Sequence, residues 1–230
     1  MKKILSSIGW DLVEYLRRAA TPFLLKLMFG MTMLACVMIK NTELRITILA
    51  LLFLADGFVS FILLRSMGEG AYKMNVVGRL RKENKPLNAT INAGKYHPSK
   101  EYRPYKGFVI GLFVSLIPAI LIIVGATTGS AGARAALIIL AGWAYLPAYS
   151  IYQIYADVHH FTEDMVIAGP SSLWWGFLLL GIFVVLCTVA YILGGKKEKF
   201  HQFVLARQTE DIDRIGSARG NKDEEGANRR

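Results

Sequence analysis

DVHHFTED, residues 157–164, is the one run in this 230-residue chain that has the side chains of a metal site. His159 and Glu163 stand four apart, as do His160 and Asp164, while Asp157 precedes His160 by three, so on a helix each pair could close on one ion. One helix cannot readily bring three or four ligands to a point, and no matching His or carboxylate pair stands elsewhere. A solvated helix end is the preferred reading. A pH-sensitive patch on His159 and His160 comes next, and a metal site last.

Asp56 is the sharper signal. It occupies the middle of ITILALLFLADGFVSFILL, residues 46–64, where a carboxylate is costly and by default marks function. Thirteen Leu, Ile, Val or Phe residues in that block, each worth about −0.3 to −0.6 kcal/mol, outweigh the roughly +3 kcal/mol of the acid, so the block can still span. Its candidate partner is Lys26. Fourteen residues separate Lys26 from Lys40, and eleven separate Arg45 from Asp56. On antiparallel helices rising about 1.5 Å per residue the two lie about one turn apart in depth. The first expectation is a pair that locks a helical hairpin, as an ion pair or a hydrogen-bonded protonated acid. Handling of a proton or cation is the alternative, and a local kink at Asp56-Gly57 the third.

Two further patterns sit in apolar surroundings. Pro118 and Pro147 fall near the same depth as Asp56, and broken helices can free carbonyls for a site, although packing kinks are the commoner use. Tyr145, Tyr149, Tyr152 and Tyr155 step by four, three and three, with Gln153 beside them, so the hydroxyls line one helix face. Packing in a bundle, tips toward an interface, is the favoured reading. GxSxG, HExxH, a P-loop and GxGxxG are all missing. The expectation leans away from an enzyme, with the 157–164 cluster as a remote catalytic alternative, and no cofactor is implied.

The elements that must carry these groups are apolar blocks at about 22–39, 46–64, 108–127, 135–156 and 173–194, in a chain that is 53% hydrophobic. Runs of about 20 apolar residues match the roughly 30 Å of bilayer hydrocarbon as helices. The fold class expected is therefore all-α: a polytopic integral membrane helical bundle with an N-terminal amphipathic surface helix. Residues 1–21 put Leu5, Ile8, Leu12, Tyr15, Leu16 and Ala19 on one face of that surface helix, with a turn at Thr21-Pro22. Residues 22–64 form a hairpin of two helices, and 65–107 a basic loop in which Gly68, Gly70, Gly78, Gly94 and three prolines argue against one continuous helix, although AYKMNVVGRLRK could form a short one. Residues 108–194 hold three apolar segments, of which two or three cross. Residues 195–230 form a polar tail whose first part, KKEKFHQFVLARQTEDIDRI, could be helical and whose last part, GSARGNKDEEGANRR, has the composition of disorder.

Charge orients the bundle. The net charge is +10, with four basic residues in 1–21, ten in 65–107 and nine in the tail. Basic segments stay in the cytoplasm. An even number of crossings places all three there, whereas five crossings would export the tail. The weak crossing is block four, interrupted by Pro147. The 65–107 segment offers Arg79, Arg81, Lys82, Lys85, Lys95, Lys100, Arg103 and Lys106, interleaved with Tyr96, Tyr102 and Tyr105. Anionic headgroups of the lipid bilayer are the first contact expected, at about 1 kcal/mol per basic residue, then a protein partner or a second copy; nucleic acid is not expected. Function is thus read as a small non-enzymatic accessory or assembly protein acting through its basic loop, with a small transporter or channel centred on Asp56 as the alternative. Compact loops and an N-terminus unlike a cleavable leader suit a bacterial cytoplasmic membrane.

Overall fold

The computed structural model of the chain describes residues 2–36, 39, 41–83, 97–128, 131–156 and 174–227. Every regular element among them is helical: α1 Lys2–Cys36, α2 Thr42–Lys82, a 3-10 turn Pro98–Lys100, α3 Lys106–Thr128, α4 Ala131–Ala156 and α5 Trp175–Ala227. Four of these, α1, α2, α3 and α5, contain stretches long and apolar enough to cross a membrane. The apolar part of α4, Ala135–Pro147, is too short for that.

α1 has no turn at Thr21-Pro22, contrary to the expectation of a separate surface helix; Pro22 lies inside one continuous helix. Its inward seam runs from half-buried Tyr15 through Ala19, Pro22, Lys26, Gly30 and Met33, at spacings of three and four, so a single stripe faces the bundle from Tyr15 to Met33. Leu12 and Leu16, expected on the same face as Tyr15 and Ala19, are exposed. Proline costs a helix one hydrogen bond, which the packing on both sides of it offsets.

α2 begins at a capped end, with Asn41 Oδ1 accepting from Leu44 N at 3.1 Å, and finishes with Arg79, Arg81 and Lys82 in its last turn, where they complement the helix dipole. Its 41 residues reach about 60 Å. Residues 65–82, expected in the basic loop with at most a short helix over AYKMNVVGRLRK, therefore continue α2 without a break. Gly68 is a contact point rather than a breaker: a Cβ there would overlap the carbonyl oxygen of Tyr191 on α5. Gly194 is its counterpart, because a Cβ there would overlap the carbonyl oxygen of Arg65.

α2 and α5 run in the same direction. Gly57 faces Leu186, Gly68 lies against Tyr191 and Gly195, Lys197 Nζ pairs with Glu69 Oε1 at 2.9 Å, and Lys73 Nζ with Glu198 Oε2 at 3.9 Å. α3 runs against α5, with Gly107 on Tyr191, Gly111 on Cys187 and Ile122 on Gly176. α5 continues as helix to Ala227, through the stretch whose composition suggests disorder. Once a helix is nucleated each residue adds a hydrogen bond, and isolated glycines subtract only about 1 kcal/mol apiece.

α4 starts where α3 ends and departs from helical angles at Ala141 (φ −126°, ψ 19°), not at Pro147. At this break the α1 and α4 backbones meet: a Cβ on Gly30 would stand 3.1 Å from Trp143 N.

Candidate functional site

Lys26 and Asp56 meet at the centre of the bundle. Lys26 Nζ donates to Asp56 Oδ2, and the two side chains are 2% and 0% exposed. α1 supplies the lysine from its buried seam and α2 the carboxylate, so the pair ties the α1–α2 hairpin together. The ammonium also lies 4.7 Å from the ring centre of Trp143 on α4 and 4.3 Å from that of Phe183 on α5. Those rings pack edge to face at 5.2 Å and 64°. Two aromatic faces thus take part of the solvation that water would provide.

Ser60, one turn along α2, lies within hydrogen-bond reach of the Asp56 carboxylate, and the Trp143 indole N–H is buried without a hydrogen-bond partner among the described residues. Beside them lies a cavity of about 320 Å³ between α2 and α5, walled by Phe53, Phe61, Leu179 and Leu186 and rimmed by the exposed Leu54, Phe58 and Ile182. Its shape follows from the helix crossing. The backbones touch at Gly68 and Gly194, whereas at Gly57, further toward the N-terminus of α2, a Cβ would stand 3.9 Å from the Leu186 side chain, an ordinary contact.

A second cluster forms at the end of the bundle where α2 and α5 emerge. Tyr102 stacks on Tyr191 at 5.4 Å and 5°, and meets Tyr72 edge-on at 5.8 Å. A Cβ on Gly195 would overlap the Tyr102 ring, so this glycine makes room for it. Burial, with the Tyr72 phenol as a smaller cause, raises the Tyr102 phenol above its ordinary range and keeps it neutral. Lys106 is 1% exposed, and its Nζ donates to the carbonyl oxygens of Ser99 and Glu101 at 2.5 and 2.6 Å. Arg18 Nη2 reaches the Lys100 carbonyl at 3.3 Å, and Trp10 packs on His97 at 5.3 Å. The 97–106 segment is thereby clamped onto α1, α2 and α5.

Of the basic and aromatic residues expected at a lipid or partner surface, Lys106 is turned inward and Tyr102 is half-buried, since both fasten this clamp. Arg79, Arg81, Lys82, Arg103 and Tyr105 are exposed, and Lys100 is half-buried. Lys85, Lys95 and Tyr96 lie outside the described residues, as do Asp157, His159, His160, Glu163 and Asp164 of the candidate metal cluster. Among the described residues no group of three metal-binding side chains converges. Tyr145 is buried in α4; Tyr149, Tyr152, Gln153 and Tyr155 continue that helix, with side chains outside those described. Pro118 and Pro147 are both buried, yet neither lines the cavity beside Asp56. Sequence reasoning missed Trp143 and Phe183 as the aromatic walls of the ion pair. GWAY and GIFVV hold them beside small residues, which is the signal that could have pointed to close contact. Compared with protein-family models, with curated proteins and with solved structures, the chain finds no match in any of the three.

Proposed function

We propose that the chain is a polytopic integral membrane bundle of four crossings in a bacterial cytoplasmic membrane. It works there as a non-enzymatic accessory protein that holds a partner of acidic surface on a basic cytoplasmic platform. One observation carries the reading: α2 and α5 leave the apolar region side by side in the same direction, bridged by Lys197–Glu69 and Lys73–Glu198. Four crossings put both ends on the side that retains positive charge, with the 65–107 segment and the tail contributing ten and nine basic residues. Arg79, Arg81 and Lys82 are exposed at the end of α2, and on α5 Phe200 and Phe203 are 69% and 54% exposed, with the Arg207 guanidinium 4.9 Å from the Phe203 ring centre. Exposed aromatics beside arginines are the composition that anchors protein interfaces.

A channel through Asp56 is less well supported. The pair is buried, the adjoining cavity has apolar walls, and its rim consists of side chains on the outer surface of the apolar region. Its role is to hold the first two helices together against the cost of separating them.

The test uses full-length protein tagged after Arg230, purified as wild type and as the Arg79→Glu/Arg81→Glu/Lys82→Glu variant. The wild type should retain one protein in fixed ratio and release it as salt approaches about 1 M, where screening acts within roughly 3 Å. The variant should not retain it. Equal retention by both proteins sinks the platform. Proton or cation flux in liposomes that Asp56→Asn abolishes would transfer the assignment to transport.

A further inference from the structure

The cavity between α2 and α5 is one part of a longer seam. On α2 its rim residues Leu54 and Phe58 recur at helical spacing with Arg65 and Glu69, so all four share one face. On α5 the rim residue Ile182 is in phase with Val189, Leu193 and Lys196. The two stripes meet again beyond the cavity, where Lys197 Nζ reaches Glu69 Oε1 at 2.9 Å and Arg65 Nε lies 3.5 Å from the same oxygen. One face of the helix pair is therefore apolar, with an open cavity of about 320 Å³, and then basic.

Depth gives each end its surroundings. Asp56, beside the cavity, lies at the middle of its apolar block, and Arg65 stands nine residues further on, about 14 Å along the axis. Half of the roughly 30 Å of bilayer hydrocarbon is the same distance. Arg65, Lys196 and Lys197 thus fall at the headgroup layer, while the cavity opens among acyl chains. Arg65 and Lys197 are 42% and 57% exposed, and Lys196 is exposed as well. Three cations face one carboxylate, Glu69, because Glu198 pairs with Lys73 at 3.9 Å, and the excess is positive. A soluble anion would answer that charge and leave the cavity unused. A zwitterionic lipid would bring an ammonium against the lysines. A phosphodiester that carries acyl chains and no ammonium fits both ends.

We propose that this face of α2 and α5 binds one anionic phospholipid, its phosphate on Arg65, Lys196 and Lys197 and part of an acyl chain in the cavity past Phe58 and Ile182. The site rests on the membrane placement argued above and is independent of the cytoplasmic platform.

The experiment takes full-length protein stripped of lipid in detergent and titrates it with dioleoylphosphatidylglycerol and with dioleoylphosphatidylcholine. Native mass spectrometry reads the fraction carrying one lipid. The wild type should hold the anionic lipid about ten-fold tighter than the zwitterionic one. Arg65→Gln/Lys196→Gln/Lys197→Gln should bring the two within about two-fold of each other. Arg17→Gln, which removes an exposed arginine at the same depth on α1, should leave the preference as it was. Ile182→Trp, which adds bulk at the cavity rim, should weaken binding of the anionic lipid about ten-fold. Glycerol 3-phosphate, the headgroup chemistry without chains, should not displace it. Equal binding of the two lipids by the wild type, a preference lost equally in Arg17→Gln, unchanged binding in Ile182→Trp, or displacement by glycerol 3-phosphate overturns the site. So does a co-purifying protein that Ile182→Trp releases while lipid binding stays, which would give the face to a partner helix. A chain that stays in solution without detergent removes the membrane placement itself, and the site with it.

Discussion

The Lys26–Asp56 pair joins two side chains that are each costly to bury alone. In lipid a lone carboxylate at mid-depth is expensive, and the energy is recovered only if a cation reaches it with good geometry. Removing one partner is therefore worse than removing both. Lys26→Met should lower stability in detergent by about 3–5 kcal/mol, while Lys26→Met/Asp56→Leu should restore most of that loss, read by denaturant or thermal unfolding. A single variant as stable as wild type would show that the carboxylate is held by something other than Lys26. Asp56→Asn, which keeps an acceptor for the ammonium, should be milder than Asp56→Ala. Lys106 is a second buried cation, satisfied by the Ser99 and Glu101 carbonyls rather than by an acid. Lys106→Met leaves both carbonyls unpaired and should open the 97–106 segment, read as faster proteolysis near Arg103 with the rest of the bundle intact. Unchanged cleavage would mean that the tyrosine stack holds the segment alone.

At the scale of elements the decisive residues are glycines that let backbones touch. Gly68 and Gly194 stand where a side chain would meet a carbonyl oxygen of the partner helix, whereas nothing lies within 4 Å of a Cβ on Gly70, two residues from Gly68. Gly68→Ala and Gly194→Ala should each destabilise by about 1–3 kcal/mol as α2 and α5 are forced apart. Gly70→Ala should be neutral or stabilise by about 0.5–1 kcal/mol through helix propensity. The three variants in one unfolding series check this, and a Gly68→Ala protein that behaves like Gly70→Ala would refute the close crossing.

For the molecule as a whole, the proposed threading rests on the parallel course of α2 and α5, and it requires the segment after α2 and the tail to share a side of the membrane. Epitope tags inserted at 88–92 and after Arg230 should be accessible from the same face, and a tag at Asn41 from the other, as read by protease protection in oriented vesicles. A tail opposite the 88–92 tag would demand a fifth crossing and remove the platform. Much of this was legible without coordinates. Block lengths and composition alone mark the helices able to span, and counting back from Lys40 and forward from Arg45 brings Lys26 and Asp56 to nearly one depth, because the rise per residue of a helix is the same whatever it packs against. Other features were not legible in the chain: that glycines 68 and 194 join helices instead of ending them, that α4 bends at Ala141, that Pro22 sits inside α1, and that Lys106 turns inward. Each of these depends on which backbone arrives from elsewhere in the chain. A glycine, a proline or a lysine has the same local preferences whether its neighbour is lipid, water or another helix, and the tertiary structure alone supplies that neighbour.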